Sequence, residues 1–298
     1  MNRFELTKIL LAFSCSLVLV TSPAMADCNS AGIAIASSLP QGGLLRGHVP
    51  SGSRLLLRDT DPNQLAREIL VGSKGQVLVG AGRDEAGPLQ LQLILADGSI
   101  CLRQVEVVKR DWLLERVDGV PEDTVNPPPA IAARIEKEQG EVAAARERDD
   151  PREDFDTDFA WPLTGRISGV FGSQRIYNGT PKSPHSGLDV AAAKGVPVLA
   201  PAGGVISFAK PDLYLTGGTI LIDHGHGLSS SFLHLSELDV KPGQRVEKGQ
   251  RIGLVGATGR ATGPHMHWGL NWFKVRLDPQ LLVDPIMNPG ASPSVERP

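Results

Sequence analysis

The chain has 298 residues, of which 41% are hydrophobic and 21% charged, and its formal net charge is −3. This length allows two small domains, or one domain with large additions. The composition excludes a largely disordered chain and a membrane-dominated one, and the acidic balance leaves no electrostatic footprint for a nucleic-acid partner. Aromatic residues make up only 5%, whereas glycines number 33 and prolines 23. Such a composition favours short strands and turns over long helices.

Residues 1–26 have the features of a secretory signal peptide. Arg3 and Lys8 give a basic start, an apolar run follows, and Ala24 and Ala26 form a small-residue cleavage site. The apolar run is too short for a membrane-spanning helix, although a retained anchor is the alternative. We therefore expect secretion across the inner membrane into the periplasm, and no membrane span in the mature chain.

The cysteines agree with an oxidising compartment. Cys15 is removed with the predicted signal peptide, which leaves Cys28 and Cys101 in the mature chain. An even number of cysteines in a secreted protein predicts one disulfide, here between Cys28 and Cys101. The alternative is two buried free thiols.

The region from residue 27 to residue 115 alternates apolar and polar residues in short runs, as in the stretch 89–95. Alternation with a period of two between glycine-rich turns predicts a small antiparallel β domain. His48 is the sole histidine there, and a lone histidine is more often structural or solvent-exposed than a metal ligand.

Residues 116–158 form a linker that contains a predicted helix. Asn126 is a candidate N-cap, and a run of alanines, glutamates and arginines follows it. The apolar stripe is thin, with Ile131, Ile135 and Val142 as its main members. This pattern predicts a connecting helix that packs one narrow face, or a charged linker. Such a helix could separate two domains by about 30 Å.

The composition changes again over residues 159–285, where glycines and prolines separate short β runs. We predict an antiparallel β domain with strongly bent sheets. The predicted strands cover residues 166–171, 187–191, 196–199, 204–209, 218–223, 228–233, 251–255 and 265–270. The proline-rich tail 286–298 is expected to be loose.

Six of the seven histidines lie in this last domain. His185 and Asp189 are four residues apart, and Gly187 between them lets the backbone bend so that both side chains can reach one metal ion. His265 and His267 are two residues apart on a predicted strand, so both imidazoles point to the same face. These two motifs together offer nitrogen and carboxylate ligands from distant parts of the chain.

Two histidines and one aspartate form a ligand set that suits Zn²⁺. Three protein ligands leave a fourth position for water, whose pKa the ion lowers, and the ion also polarises a carbonyl group. His234, at the end of an alternating strand, is a candidate for proton transfer or for stabilising developing negative charge. This set indicates hydrolysis of an amide, although spacing alone does not decide whether His265 or His267 binds the metal.

These residues and their neighbours resemble the lysostaphin-type zinc metallopeptidases, the cell-wall endopeptidases with a LytM-like domain. The resemblance covers residues 161–284 and is strongest over residues 256–267. Its motifs are Trp161-Pro162, Gly169-Val170-Phe171-Gly172, Pro184-His185-Ser186-Gly187-Leu188-Asp189, Asp223-His224-Gly225, His234-Leu235-Ser236 and Gly263-Pro264-His265-Met266-His267.

The resemblance implies a fold, a site and a substrate. The fold would be mainly β, with a lysostaphin-type metallopeptidase domain after the small N-terminal β domain and connecting helix. His185, Asp189 and His267 would bind Zn²⁺, while His234 and His265 would be the catalytic pair. The substrate would be the peptide stems and cross-links of bacterial peptidoglycan.

Two features of the sequence concern substrate binding. Phe232 stands where many members of the family have tyrosine, so a hydroxyl that helps to bind substrate would be absent here. The loop before His185 contains Arg175, Tyr177, Asn178 and Lys182. We predict that Arg175 and Asn178 in particular hold substrate carboxylates; a solvated loop is the alternative.

Competing functions remain open from the sequence. Some members of the family have lost their ligands and only activate other wall hydrolases, so a catalytically silent wall-binding activator is one alternative. A non-haem iron oxygenase also uses two histidines and one carboxylate, but it has no need of two further histidines beside the metal. We also expect the N-terminal domain and helix, or a regulatory protein, to control access to the site.

Overall fold

The computed structural model describes residues 27–28, 32–58, 66–117 and 127–285. The predicted signal peptide and tail lie outside these residues. Within them the chain consists of many short strands and one α-helix, which confirms the predicted mainly β class. No helix in the described part is both long and apolar enough to cross a lipid bilayer.

Residues 32–117, here called the N-terminal portion, form two β-sheets ordered β1-β7-β6-β3-β4 and β2-β5. In β6 the leucines at alternate positions are buried, and the glutamines between them face outwards, as the period-two pattern predicts. The predicted disulfide is present and joins Cys28 to Cys101 in β7. The strands are β1 (Ser38–Pro40), β2 (Leu44–His48), β3 (Arg54–Arg58), β4 (Arg67–Ile69), β5 (Gln76–Gly80), β6 (Leu89–Ile94), β7 (Ile100–Val108) and β8 (Leu114–Val117).

Residues 159–285, here called the C-terminal portion, contain a large sheet ordered β18-β14-β15-β16-β20-β12-β9, with β21 beside β20, and a small sheet ordered β13-β19-β17. Pairing within the large sheet is antiparallel. The strands are β9 (Arg166–Gly169), β10 (Gln174–Tyr177), β11 (Thr180–Pro181), β12 (Leu188–Ala191), β13 (Pro197–Leu199), β14 (Gly204–Leu213), β15 (Gly217–Asp223), β16 (Leu228–Leu235), β17 (Glu237–Leu238), β18 (Arg245–Val246), β19 (Arg251–Leu254), β20 (His265–Trp272) and β21 (Val275–Leu277), followed by a 3₁₀ turn at Pro279–Leu282.

One face of the large sheet, here called the front face, carries polar side chains. His267 lies opposite Asp189, and Asn271 lies opposite both Ser229 and Arg276. Side chains of directly opposed residues project from the same face of a sheet. Because alternate residues of β20 share a face, these five side chains all project from the front face.

The helix α1 (Pro129–Arg146) lies on this front face. Val142 and Ala145 pack against Phe208 and Leu221, and Leu221 is opposite a front-face residue of β16. No residue of the helix is fully buried, which agrees with the thin apolar stripe in its sequence. The predicted N-cap, Asn126, lies outside the described residues; the helix begins at Pro129 and ends at Arg146, within the predicted linker 116–158.

The two β portions are in direct contact. Gly80 at the end of β5 lies so close to Trp272 and Leu277 that a Cβ there would be 3.1 Å from both side chains. Arg110 donates a hydrogen bond to Asp278 over 2.8 Å. The helix therefore does not separate the two portions by the distance of about 30 Å that its length would allow. Docking covers apolar surface of β5, β20 and β21 that a spacer would leave in water.

A third small sheet connects the portions beside the loop that precedes His185. Strand β8 pairs in parallel with β10, with Glu115 opposite Arg175, and β11 pairs with β10 on its other side. The end of the N-terminal domain predicted at residue 115 falls inside β8. The strand continues past that point because β10 supplies hydrogen-bonding partners that the sequence does not reveal.

Candidate active site

The three predicted metal ligands meet at one point of the front face. Asp189 and His267 occupy opposite positions on β12 and β20. His185 precedes β12 and reaches the same point because the chain passes very close to β20 at Gly187, where a Cβ would lie 2.4 Å from the carbonyl oxygen of Trp268. The candidate ligand atoms of the three residues all lie within 4.8 Å of one another.

The three side chains are buried, and their ligand atoms are closely spaced. Nδ1 of His267 lies 2.8 Å from Oδ1 of Asp189 and 3.1 Å from Nε2 of His185. Nε2 of His185 is 3.2 Å from Oδ2 of Asp189. Nδ1 of His185 donates to the carbonyl oxygen of Val170 over 3.0 Å, because that oxygen can only accept. The lone pair of His185 Nε2 is thus directed at the other two ligands.

The protonation states at this point favour a cation. Burial alone would raise the pKa of Asp189, but the His185 and His267 rings in contact with its carboxylate outweigh burial and hold that pKa far below its usual range. Burial also lowers the pKa of His267, against the opposing effect of Asp189. The group therefore offers one carboxylate and neutral imidazole nitrogen, which is a donor set consistent with a metal ion.

His234 and His265 lie beside this group, with ring centroids 4.7 Å apart. Nδ1 of His234 donates to the carbonyl oxygen of Thr258, and Nδ1 of His265 donates to that of Gly263, each over 2.8 Å. Each ring therefore keeps its Nε2 as a hydrogen-bond acceptor. Nε2 of His265 is 3.8 Å from Oδ1 of Asp189, so this pair borders the three ligands.

The environment of His234 fixes its charge. Burial lowers its pKa to about 4, although the hydrogen bond to Thr258 opposes the shift. His234 is therefore neutral near pH 7 and able to accept a proton. Its backbone has a φ of 65°, a conformation that non-glycine residues adopt rarely and that recurs at functional sites.

The predicted substrate-binding residues occupy different surroundings. Nη2 of Arg175 is 3.5 Å from Oδ2 of Asp189, and its Nε is 3.3 Å from Oε2 of Glu115. Arg175 is thus brought to the metal-ligand group by β10. Asn178 lies in the exposed turn between β10 and β11, with a φ of 48°. Substrate binding by either residue stays a prediction.

Sequence reasoning missed a cavity of about 450 Å³ beside the site. Its lining includes His185, Phe171 and Arg276 of the C-terminal portion, and residues 82–85 of the N-terminal portion. No sequence signal places residues 82–85 beside His185, because their position depends on how the two portions dock.

His224 and His226 lie away from the ligand group. Nδ1 of His224 donates to the carbonyl oxygen of Gly203 over 2.6 Å, and Nε2 lies 2.9 Å from Oγ of Ser230. Both ring nitrogens of this buried residue are therefore in use. His226 packs against Phe155 with ring centroids 4.7 Å apart. These contacts give both residues structural roles in the C-terminal portion.

Comparison with known proteins gives two independent matches over this region. The model of peptidase family M23 matches residues 183–279. The crystal structure of a Pseudomonas aeruginosa protein assigned as a peptidase M23 aligns with a TM-score of 0.63 and 32% sequence identity. That alignment covers 82% of this chain and 94% of the other, so it includes both β portions.

Among similar curated proteins are the peptidoglycan DD-endopeptidase ShyA of Vibrio cholerae and the cell division protein DipM of Caulobacter vibrioides. ShyA is 43% identical over 106 residues, and DipM is 36% identical over 129 residues. The matches cover 35% and 43% of this chain, but only 24% of ShyA and 20% of DipM. The chain thus spans a quarter or less of these relatives. The resemblance to lysostaphin-type peptidases is confirmed by these matches, and the chain belongs to peptidase family M23.

Proposed function

We propose that this chain is a zinc-dependent endopeptidase that hydrolyses peptide cross-links of peptidoglycan during cell-wall remodelling in the periplasm. The observation that carries the proposal is the convergence of His185, Asp189 and His267 on one point, with the imidazoles of His234 and His265 beside it. The peptidoglycan substrate is supported by the similarity to ShyA. The Cys28–Cys101 disulfide supports an oxidising compartment.

The donor geometry suits zinc. Zn²⁺ binds histidine nitrogen and carboxylate oxygen at about 2.0–2.2 Å, so neighbouring ligands of a tetrahedral site lie roughly 3.3–3.5 Å apart. The ligand atoms are 2.8 Å apart between His267 and Asp189, 3.1 Å between His185 and His267, and 3.2 Å between His185 and Asp189. A small outward movement would admit the ion, which would leave one coordination position for water. We therefore assign these three residues as the zinc ligands.

We propose a role in the hydrolysis for each of the two histidines beside the ligands, His265 and His234. Zinc bound at this site supplies a water molecule of lowered pKa and polarises the scissile carbonyl. His265 accepts a hydrogen bond at Nε2 and orients the attacking water. His234 accepts a proton from that water at Nε2, and then donates it to the leaving amine nitrogen, so the proton balance closes. The bond to Thr258 keeps the imidazole of His234 in the required tautomer.

The direct test is incubation of the protein with purified wall sacculi, followed by identification of the released fragments. We expect soluble peptide-containing fragments that disappear with a chelator and return when zinc is added. The His267→Ala variant is the matched negative control. Zinc binding without any release would instead identify a silent wall-binding activator, and release by metal-free protein would exclude a metallopeptidase.

We also propose that the N-terminal portion restricts access to the site, and the domain division at residues 27–115, 116–158 and 159–285 stays a prediction. Glu115 of β8 lies against Arg175, which in turn lies beside Asp189. Glu115→Arg should loosen this contact through like-charge repulsion and raise the cleavage rate. The control is Glu106→Arg, an exposed position in β7. Equal rates in both variants and in the wild type would contradict a restricting role.

A further inference from the structure

We propose that Arg146 and Arg276 form a subsite for a free carboxylate group of the peptide substrate. The proposal rests on the peptidase function above and specifies its substrate. The two arginines come from separate elements, the last residue of α1 and the middle of β21.

Strand register places Arg276 on the front face. Arg276 lies opposite Asn271, which is four residues beyond His267 on β20. Alternate residues of a strand share a face, so Arg276 projects on the same side as the zinc ligands. At about 3.3 Å per residue, this row lies roughly 13 Å from His267 along the strand.

The helix brings Arg146 to the same face. Val142 and Ala145 anchor the last turns of α1 against Leu221. Beyond the helix, Arg148 donates to Asp223, which lies opposite Ser229 in the row that contains Asn271. Arg146 lies between these two anchors in the chain, so both ends of its segment are held on the front face.

Neither arginine has an acidic partner within the described ranges of the chain. The nearby carboxylates are paired elsewhere: Asp223 with Arg148 and Arg152, and Glu147 with Lys274. Nε of Arg146 is buried without a hydrogen-bond partner. Burial, together with repulsion from Arg276, lowers the pKa of Arg146 to about 10. Arg146 is half-buried and Arg276 is exposed, so a ligand anion would chiefly relieve the unpaired charge of Arg146.

Two further observations indicate a ligand at this place. Ser229 is 4% exposed, its side chain lies in the same row, and its Oγ has no hydrogen-bond partner among the described residues. The cavity beside the site is lined by both His185 and Arg276. A ligand that enters the cavity can therefore contact His185 and Arg276 together, beside the acidic side chains of Asp84 and Glu85 that also line it.

These features favour a carboxylate that belongs to the substrate. Guanidinium groups bind carboxylates through paired, charge-assisted hydrogen bonds. A separation of roughly 13 Å corresponds to three or four residues of extended peptide from the scissile bond. The preferred substrate is thus a peptide with a free, unamidated carboxylate at that distance.

The test compares two cross-linked peptides that differ only in whether this carboxylate is free or amidated. We expect the wild type to cleave the acid with a kcat/KM roughly ten- to a hundredfold higher than the amide, the usual value of a charge-assisted contact. Arg276→Gln should remove this preference, so that the acid and the amide are cleaved with similar kcat/KM. Arg276→Lys should restore part of it. Arg58→Gln, an exposed substitution in β3, is the matched control.

A second readout does not require turnover. The dissociation constant of a non-cleavable acid peptide should rise by a similar factor in Arg276→Gln and in Arg146→Gln, whereas that of its amide should not change. Equal cleavage and equal binding of acid and amide by the wild type would overturn the subsite while the peptidase function stands. Failure of the wild type to cleave either peptide or sacculi would overturn both.

Discussion

Strand β6 of the N-terminal portion and strand β20 of the C-terminal portion both carry polar residues at alternate positions. In β6 the polar positions are glutamines that face outwards; one is exposed and the other half-buried. In β20 the polar positions after His265 are buried, and they include His267 and Asn271. The same pattern thus makes a solvent face in one portion and a buried polar face in the other.

The difference shows where chemistry is located in this chain. A polar side chain that stays in water keeps its hydration. A buried one loses it, and this costs free energy unless the side chain gains a hydrogen-bond partner. On the front face, Asp189 and His267 partner each other, and Ser229 and Arg146 retain unpaired buried atoms. Buried polar residues on an alternating strand are therefore the sign of a ligand here, and the predictions below test this distinction.

The largest expected effect follows from removal of a zinc ligand. His267→Ala should lose bound zinc and all cleavage of sacculi, because two remaining ligands do not hold the ion. The matched control is His48→Ala in the N-terminal portion, where the histidine is exposed and both properties should be retained. Metal analysis measures the bound zinc, and the release of soluble fragments measures the cleavage of sacculi. Retained zinc in His267→Ala would show that the ligand assignment is wrong.

The second prediction separates proton transfer from metal binding. His234→Ala should keep zinc but lose roughly 10²–10⁴-fold in rate, the usual contribution of a positioned proton-transfer group. The measurement is kcat beside zinc content in the same preparation. Zinc loss equal to that of His267→Ala would contradict the separate roles of the two histidines.

The third prediction tests whether the two portions unfold together. Arg110→Ala leaves the carboxylate of Asp278, which is 4% exposed, without its ion-pair partner. The expected loss is about 2 kcal/mol in the free energy of unfolding, measured in urea. Arg54→Ala breaks the exposed pair with Glu68 and should change stability by less than about 0.5 kcal/mol. Equal effects of the two variants would contradict a tight interface.

The smallest effect concerns buried histidines and pH. Burial lowers the pKa of His224 to about 4, against opposing effects of Gly203 and Asp223. Between about pH 6.5 and pH 4, His224 is protonated in the unfolded state but neutral in the folded state. The free energy of unfolding therefore decreases as the pH falls through this window.

Between pH 7 and pH 5, His224 should contribute about 2 kcal/mol to this loss. His224→Gln should remove that part, in urea titrations with chelator present so that metal binding does not contribute. A wild type and variant with the same pH dependence would show that His224 does not titrate in this way.

Much of the site was predictable because its ligands lie in short motifs. His185 and Asp189 are four residues apart, and His265 and His267 lie in one strand. Their spacing in the sequence was therefore enough to identify them as candidates. The choice between His265 and His267 came only from the family resemblance. The register gives its physical reason: His267 lies opposite Asp189, whereas His265 lies opposite Ala191.

Features that depend on docking were not predictable. The mainly β fold and the pairing of Cys28 with Cys101 follow from composition, alternation and compartment. The contact of Gly80 with Trp272 and the approach of Arg146 to Arg276 depend on surfaces far apart in sequence. No local pattern encodes which strand edge or helix end will meet another.

The central claim is that one zinc ion lies between His185, Asp189 and His267. Anomalous diffraction from crystals of the zinc-loaded protein, recorded above and below the zinc absorption edge, tests it most directly. We predict a single strong peak within bonding distance of Nε2 of His185, the carboxylate of Asp189 and Nδ1 of His267. A fully active protein whose crystals show no peak there, or a peak bound by other residues, would contradict it.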